Sequence, residues 1–161
     1  MSSYIKSLEN AFLAHFSRRL SDLIIEQCSN HLKNLGITTP ATAVSSIYFL
    51  ADNDNVTVAD LAEALDVTHQ MATQRSNQLE KMGLIYRKPK PGDMRAKTIH
   101  LSESGIEESR KLRPFTKSLS AVFDEINEQI ECELMVKIRQ AELALIEKPL
   151  FQRIEKIEAS R

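Results

Sequence analysis

Residues 57–101 read TVADLAEALDVTHQMATQRSNQLEKMGLIYRKPKPGDMRAKTIHL. Apolar residues recur in the first half of this stretch at three- and four-residue steps, the spacing of an amphipathic helix. Thr57 and Thr68 are favourable N-caps for two such helices, which we predict over residues 58–65 and 69–82. Because few residues separate them, the two helices must be joined by a tight turn.

A β-hairpin is predicted directly after the second helix, which ends at Gly83. Apolar and polar residues alternate over residues 84–88 and 96–101, and the loop between them, residues 89–95, holds two prolines and two basic residues. Two short helices followed by a hairpin with a basic tip is the order of a winged helix-turn-helix, in which the second helix enters the major groove of DNA. The predicted fold class is mainly α with this small β wing.

Two further helices are predicted before this stretch. Apolar residues spaced by three and four run over residues 4–35, and Gly36 is the residue type that ends a helix. A second helix is predicted over residues 40–51, with Pro40 in its first turn, where proline is tolerated. Together with the stretch quoted above, this second helix completes a predicted DNA-binding lobe, residues 40–101.

The residues after the lobe, 102–161, are predicted to be helical as well. One helix continues past Pro114 to about residue 126, and a last helix begins near residue 128 and is interrupted at Pro149. Together with residues 1–35, these helices carry more apolar surface than the small lobe could cover, so we expect them to pack against a second copy of the chain. We therefore predict a single domain over residues 1–161 whose terminal helices form a homodimer.

The composition is that of an ordinary folded protein, with 42% hydrophobic and 27% charged residues in a chain of 161. No apolar run reaches the roughly 18 residues of a membrane span, and the first residues lack the pattern of a signal peptide. We therefore expect a cytoplasmic protein without a membrane partner. Cys28 and Cys132 match no disulfide or zinc pattern, so we expect reduced, buried thiols.

The sequence offers little support for an enzyme. It has no G-x-S-x-G, no phosphate-binding glycine-rich loop and no H-E-x-x-H, and it contains only 4 glycines. His15 and His31 are too isolated to indicate a metal site. We therefore expect no catalytic residue, no metal and no cofactor.

Positive charge is concentrated in one part of the chain. The net charge is −1, yet residues 67–100 carry 7 basic and 2 acidic side chains, whereas residues 1–66 carry 4 and 8 and residues 101–161 carry 10 and 12. The positive segment contains the predicted second helix and hairpin. A local positive excess is what contact with nucleic-acid phosphates requires, although many solvated loops look similar.

The second helix offers a polar face that suits DNA. Its side chains are short or flexible hydrogen-bonding groups that can reach base edges and phosphates, whereas Ala72, Leu79 and Met82 are expected to face inward. The alternative interpretation is a solvated face on an ordinary surface helix, which the neighbouring basic hairpin disfavours. The candidate DNA-binding residues of this helix are Thr68, His69, Gln70, Thr73, Gln74, Arg75, Asn77 and Gln78.

In this region the sequence resembles the MarR family of regulators. The resemblance rests on VADLA (residues 58–62), LEKMGLI (residues 79–85), D-x-R-x-K (residues 93–97) and LS-x-x-G (residues 101–105). The resemblance is close over the central region, and over the flanking helices it rests only on the pattern of residues. It implies a mostly helical bacterial homodimer that binds double-stranded DNA and regulates transcription, as a repressor where it blocks access to a promoter.

Some residues refine this resemblance and others depart from it. The segments LRP (residues 112–114) and EKPLFQRI (residues 147–154) look more like a subgroup that is sometimes fused to an acetyltransferase domain. Arg75 and Ser76 stand where family members usually carry aliphatic residues. Either Arg75 turns outward to a phosphate, or the helix docks on DNA in a different way.

The resemblance also implies roles for the wing. Arg95 would reach into the minor groove, and Asp93 would hold its guanidinium in a bidentate pair. The alternative is a surface ion pair in a turn. Lys88, Lys90 and Lys97 flank the same tip, which favours contact with DNA.

In this family a small phenolic or otherwise lipophilic effector can bind between the dimer helices and the DNA-binding lobe and shift the spacing of the two recognition helices. The resemblance therefore implies a candidate effector pocket here. The alternative is that the same side chains are ordinary core, which is the commoner fate of apolar helix residues. The candidates are His15, Phe16, Arg19, Tyr48 and Phe49.

A second functional class stays open, namely a helical protein-interaction or anti-regulator module that kept the fold without binding DNA. Such a module would explain Arg75, Ser76 and the modest overall charge. The basic wing discriminates between the two classes, because a protein-binding surface has little use for a lysine-rich tip beside a polar helix.

Overall fold

The computed structural model describes Tyr4, residues 10–90 and residues 92–161, without the side chains of residues 93–95. The chain divides into two compact units, Met1–Pro114 and Phe115–Arg161. The described residues form seven α-helices, two short 3-10 turns and one two-stranded hairpin. The predicted fold class is confirmed.

The first long helix, α1, spans Leu13–Asn34 and follows a 3-10 turn at Asn10–Phe12. We predicted one helix from residue 4, and residues 5–9 lie outside the described part. The prediction was wrong for residues 10–12, where the backbone has the tighter 3-10 form that is frequent at helix ends. Only Leu32 of α1 is buried in the single chain.

Helix α2, Val44–Asp52, also begins later than predicted. Pro40 has an extended backbone (φ −60°, ψ 140°) and precedes a 3-10 turn at Ala41–Ala43, so it does not lie in the first turn of the helix. A residue before proline avoids the helical region, and Thr39 lies outside any helix. This extended segment leaves the Thr39 N–H free of helical bonds and available to a carboxylate described below.

The two short helices lie where the sequence placed them, with α3 at Val58–Ala64 and α4 at His69–Lys81. Thr57 and Asp60 form a reciprocal capping box, in which each side chain accepts a hydrogen bond from the backbone N–H of the other, at 3.2 and 2.8 Å. The Thr68 hydroxyl accepts from the Met71 N–H at 3.2 Å and so caps α4. The turn between the helices is confirmed, and Val67 in it is half-buried.

Helix α4 ends in a Schellman motif. Gly83 has a φ of +73°, its N–H donates to the Glu80 carbonyl at 2.9 Å, and the Leu84 N–H donates to the Leu79 carbonyl at 3.0 Å. Met82 is the C-cap residue and is 39% exposed, so the prediction that it faces inward was wrong. The chain leaves the helix at this point.

The wing consists of β1, Ile85–Lys90, and β2, Asp93–Leu101, paired antiparallel. Its strands are longer than predicted, because Pro89 lies opposite Lys97 and Lys90 lies opposite Asp93, with a register shift between Pro89 and Lys90. A two-stranded hairpin has only edge strands, and an edge tolerates a proline that lacks an N–H donor. The wing therefore projects as a longer, stiffer ribbon than a seven-residue loop would allow.

Helix α5, Glu103–Gln129, continues past Pro114 and ends three residues later than predicted. Its first turn passes so close to the end of α4 that a Cβ on Gly105 would lie 2.0 Å from the Leu84 carbonyl oxygen. Glycine is therefore required at this contact. The Gly105 N–H donates to the Ser102 hydroxyl at 3.1 Å, so Ser102 caps α5.

The last predicted helix is two helices, α6 at Leu134–Glu147 and α7 at Leu150–Ala159. The break at Pro149 is confirmed. The predicted start near residue 128 was wrong, because α5 occupies that position and the chain reverses at Glu131, which has a φ of +52°.

Apolar burial differs between the two units. The core of the first unit draws one nearly inaccessible side chain from each of α1, α2, α3, α4, β2 and α5, namely Leu32, Ile47, Leu61, Leu79, Ile99 and Leu112. In the second unit no residue of α6 or α7, both fully described, is buried in the single chain. Cys28 and Cys132 are half-buried rather than buried. Among the residues that the structure describes, no helix is long and apolar enough to cross a membrane.

Candidate nucleic-acid interface

Helix α4 presents most of the predicted DNA-binding residues to solvent. Its inner face is Ala72, Ser76 and Leu79, all buried, at the i, i+4, i+7 spacing of one helix face. The remaining faces are mostly polar, with Met71 as an exposed apolar side chain. The exposed candidates are Thr68, His69, Gln70, Gln74, Asn77 and Gln78, and the half-buried ones are Thr73 and Arg75.

Ser76, one of the two departures from the family pattern, belongs to the inner face of α4. It is fully buried, and its hydroxyl donates to the Ala72 carbonyl at 2.8 Å. This bond satisfies the hydroxyl without any group from outside the helix. Ser76 therefore fills the position of an aliphatic residue, and its polarity carries no information about DNA.

Thr73 is held within the helix as well. Its hydroxyl donates to the His69 carbonyl at 2.8 Å and lies 3.4 Å from Nδ1 of the His69 ring. Because a hydroxyl has one proton, that donor is used, and Thr73 can only accept from a further group. His69, Gln70 and Gln74 are the neighbouring exposed side chains.

An arginine that we did not predict as a functional residue links α4 to the wing. Arg87 of β1 pairs through Nη1 with the Glu80 carboxylate and donates through Nη2 to Oδ1 of Asn77 at 2.8 Å. The Arg87 side chain is 20% exposed, compared with 39% for Glu80. The strand alternation that places Arg87 opposite the buried Ile99 was the available signal for its inward orientation.

One face of the wing carries a row of contacting side chains that runs from the exposed Lys88 to the buried Thr98. The Tyr86 and His100 rings are cross-strand partners with centroids 5.4 Å apart and an interplanar angle of 20°. Nζ of Lys88 lies 5.1 Å from the centroid of the Tyr86 ring, a cation–π distance. The Thr98 hydroxyl lies 2.8 Å from Nε2 of His100. This row orients Lys88 along the strand.

The other predicted wing residues lie towards its tip. Lys90 and Lys97 are exposed. Hydrogen bonds from the backbone and hydroxyl of Thr57 lower the pKa of Asp60, and the charge of Lys90 lowers it slightly further. The side chains of Asp93 and Arg95 lie outside the described part, so their bidentate pair stays a prediction.

The wing is fixed to the lobe at its base. The Ile99 N–H donates to the Val56 carbonyl at 2.7 Å, which adds a short bridge to the hairpin from the residues before α3. On the other side, the Ser102 N–H donates to the Leu84 carbonyl at 3.0 Å. The hairpin is therefore tied at both ends of its base, and its tip extends beyond these bonds.

A buried carboxylate fastens α5 to the segment before α2. Glu108 is 7% exposed and accepts from the backbone N–H groups of Thr38 and Thr39, each at 2.8 Å, and from both threonine hydroxyls. Burial raises the pKa of Glu108, but the four hydrogen bonds together outweigh it and leave the pKa below its ordinary value. Glu108 is therefore the charged carboxylate when it accepts these four hydrogen bonds. No local sequence pattern indicates this contact between residues 70 positions apart.

The candidate effector residues occupy α1 and α2. The His15 and Phe16 rings make an edge contact with centroids 5.5 Å apart, and Arg113 lies 5.6 Å from the Tyr48 ring centroid while it pairs with Asp52 at 2.5 Å. Arg19 is exposed and Phe49 is half-buried.

The structure also shows a groove of about 280 Å³ in this unit, and none of the candidate effector residues lines it. Its volume is just below the roughly 300 Å³ at which small-molecule pockets begin. Its lining residues include Leu50, Asp54, Tyr86, His100 and Ile106.

The sequence profile of the MarR family matches residues 41–97, a range that contains α2 to α4 and most of the wing. No curated protein matches the sequence. Solved structures do match the fold. The S. aureus MepR–DNA complex gives a TM-score of 0.64 at 23% identity, over 80% of this chain and 97% of that one.

Two further structures match over similar lengths. M. tuberculosis MOSR in complex with DNA gives a TM-score of 0.65 at 19% identity, over 84% of this chain and 95% of that one. A MarR/EmrR family transcriptional regulator from Acinetobacter sp. ADP1 gives 0.65 at 15% identity, over 86% and 97%. At these identities the likeness concerns the fold. With the profile match over residues 41–97, it shows that the chain has the fold of these regulators and that its central region is similar to the MarR family.

Proposed function

We propose that this chain is a transcription regulator that binds double-stranded DNA through α4 and the wing. The observation that carries the proposal is the joining of these two elements by Arg87, which contacts Glu80 and Asn77 at the end of α4. A polar helix and a strand with exposed lysines are thereby held as one surface. A helix for the major groove and a basic hairpin beside it are the two parts that a winged helix-turn-helix uses on DNA.

The uneven charge supports this surface as the DNA-contacting one. The segment with 7 basic and 2 acidic residues contains α4 and both strands. Arg87 is paired with Glu80, so on the wing the lysines at positions 88, 90 and 97 supply the exposed charge that the structure describes. Contacts of this kind to phosphates provide affinity without sequence preference, and the α4 side chains provide the preference.

The functional form in this proposal is a homodimer on a pseudo-palindromic operator. Helices α6 and α7 expose ten large apolar side chains, which is more than a stable monomer normally leaves in water. A second copy of the chain would cover them and place two α4 helices about 34 to 36 Å apart, one helical turn of DNA. Occupation of a promoter by such a dimer would repress transcription.

Two relatives support the DNA-binding part of the proposal. S. aureus MepR and M. tuberculosis MOSR were each solved in complex with DNA, and their folds cover 80% and 84% of this chain. Release by a small lipophilic or phenolic effector bound near His15, Phe16, Arg19, Tyr48 and Phe49 is part of the same proposal.

The proposal is tested by titration of the protein into labelled DNA from its own upstream region, at two salt concentrations and against scrambled competitor. We expect tight, salt-sensitive binding that the competitor does not remove. Arg95→Ala should weaken binding to all sequences and reduce the slope of log K against log salt by roughly one, because one phosphate-neutralising charge is lost. Gln74→Ala should relax the preference at one base position.

Arg18→Ala is the matched control, because Arg18 is an exposed arginine of α1 that pairs with Asp22 at 3.0 Å. It should leave the slope unchanged. If the wild-type protein binds DNA at neither salt concentration, the protein-interaction module becomes the better proposal. If Arg95→Ala behaves like Arg18→Ala, the role of the wing arginine is refuted.

A further inference from the structure

Asn77 is an exposed residue of α4 whose side-chain carbonyl is occupied. Its Oδ1 accepts from Nη2 of Arg87 at 2.8 Å. A guanidinium group has donors and no acceptor, so the oxygen of the Asn77 amide, and not its nitrogen, must face Arg87. The contact therefore fixes the amide orientation by chemistry, where an isolated asparagine amide is free to turn over.

Arg87 is itself held in place. Its other terminal nitrogen pairs with Glu80, one helical turn from Asn77 on α4, and its side chain is 20% exposed. A guanidinium that makes two bonds of its fork to one helix has few other orientations available. The three residues form a clamp, defined here as Asn77, Glu80 and Arg87.

We propose that this clamp makes Arg87 a positioning residue for sequence recognition, by turning Asn77 into a hydrogen-bond donor at the DNA surface. An unrestrained asparagine reads adenine with its oxygen and nitrogen together. With Oδ1 turned to Arg87, the outward group is the amide NH₂ at Nδ2, which donates to acceptors such as N7 and O6 of guanine or O4 of thymine.

The inference rests on the proposed function, because it needs α4 to contact base edges. The inference goes beyond the proposed function because it assigns a role in specificity to Arg87, a residue that would not itself touch DNA. A surface ion pair with no such role would contribute only to stability, or, through its charge, to affinity for every sequence alike.

The test is a cycle of four proteins, the wild type, Arg87→Met, Asn77→Ala and the double variant, each used to select from a pool of random duplexes. Methionine keeps the unbranched apolar stem and removes the fork. We expect Arg87→Met to change the relative affinity for bases at one position of each half-site by roughly tenfold, the range of one base contact. In the Asn77→Ala background the same change should alter no base preference.

Lys88→Met is the matched control, because Lys88 is the next residue of β1 and is exposed. It should weaken binding to all duplexes several-fold and leave the selected sequence unchanged. The idea is overturned if Arg87→Met acts like Lys88→Met, or if it shifts base preference equally with and without Asn77.

A second readout needs no DNA. In the free protein, the side-chain NH₂ resonances of Asn77 should move on Arg87→Met and stay in place on Lys88→Met, and Arg87→Lys should restore them at most in part. Unmoved resonances would show that the clamp does not form. A third outcome is that the wild type selects no sequence although the Asn77 resonances move on Arg87→Met. The proposed sequence-specific function and the specificity role of Arg87 would then both be refuted, whereas formation of the clamp would be supported.

Discussion

The predicted DNA-binding lobe and the last two helices differ in how much of their apolar surface is buried within the single chain. Helices α3 and α4 are short, yet both have side-chain N-caps and both bury residues in the first unit. In α6 and α7 the N-cap residues make no side-chain cap bond, and neither helix buries a residue in the single chain, although α6 is the longest of the four helices. The lobe therefore buries its apolar side chains within its own chain, whereas α6 and α7 leave theirs exposed, as expected if the second copy that we propose covers them.

The largest effect is expected from a charge placed in α6. Ile146 is 75% exposed in the single chain, so Ile146→Glu should be harmless if the monomer is the functional form. In the homodimer that we propose, a buried carboxylate would dissociate the subunits. We expect loss of the dimer in sedimentation velocity and a fall in operator affinity of about 100-fold or more, because two linked half-site contacts become one.

Gln140→Glu is the control for this experiment. It introduces the same charge at a polar, exposed position of α6, and it should change neither the mass nor the affinity. A dimer that survives Ile146→Glu would remove α6 from the interface and leave α7 and α1 as the candidate surfaces.

The next effect concerns the lobe itself, at the contact between α5 and the end of α4. Gly105→Ala places a Cβ 2.0 Å from the Leu84 carbonyl oxygen, so backbone must move. We expect a loss of about 2 to 3 kcal/mol in the free energy of unfolding, measured in denaturant at fixed protein concentration. This destabilisation should appear although the substituted side chain is a single methyl group.

Gly83→Ala gives the internal comparison. Gly83 has a φ of +73°, but no described atom lies within 4 Å of the position of an added Cβ. The loss in the free energy of unfolding should then come only from holding alanine at a positive φ, about 1 kcal/mol. Equal losses for the two variants would mean that α5 can move away from Leu84 more easily than the contact indicates.

The same two regions show what could be predicted from the sequence. The lobe was predictable because its signals are local, such as a threonine before each short helix, a glycine after α4 and alternation in the strands. The positions of α3, α4 and the wing follow from them within a few residues. The helices after the lobe have fewer such signals, and a continuous apolar pattern hid the reversal at Glu131, which separates α5 from α6.

The candidate site was predictable to a lesser degree. Polar residues on α4 and lysines on the wing could be recognised by type and spacing, and Ser76 was noted as a departure from the family that the sequence resembles. Its inward orientation follows from the four-residue step from Ala72, but the sequence does not show that its hydroxyl bonds to the Ala72 carbonyl. The clamp around Arg87 and the bonds to Glu108 join residues that are distant in sequence or lie on different elements, and such pairs have no local pattern. The likeness to an acetyltransferase-fused subgroup stays a prediction.

The smallest effect, and the one that depends on pH, is expected at Glu108. Glu108→Gln keeps the shape of the side chain but replaces a carboxylate that accepts four hydrogen bonds from Thr38 and Thr39. Hydrogen bonds to a buried charge contribute more than neutral ones, so we expect a loss of about 2 kcal/mol at neutral pH. Glu107→Gln is the control, because Glu107 is exposed and pairs with Lys111 at 2.8 Å on the surface, where such a pair contributes little.

The sign of the pH dependence follows from the lowered pKa of Glu108. A carboxyl whose pKa is lower in the folded protein than in the unfolded chain stabilises the fold fully above the unfolded value, about 4.3 for glutamate. That contribution is lost as the pH falls from the unfolded pKa to below the folded pKa. Below the folded pKa, Glu108 is protonated in both the folded and the unfolded states. The difference in stability between the wild type and Glu108→Gln should therefore be constant from pH 6 to 8 and narrow below about pH 4.3. A difference that persists unchanged at low pH would mean that the shape of the hydrogen-bonded site, and not the charge of Glu108, fastens α5 to the segment before α2.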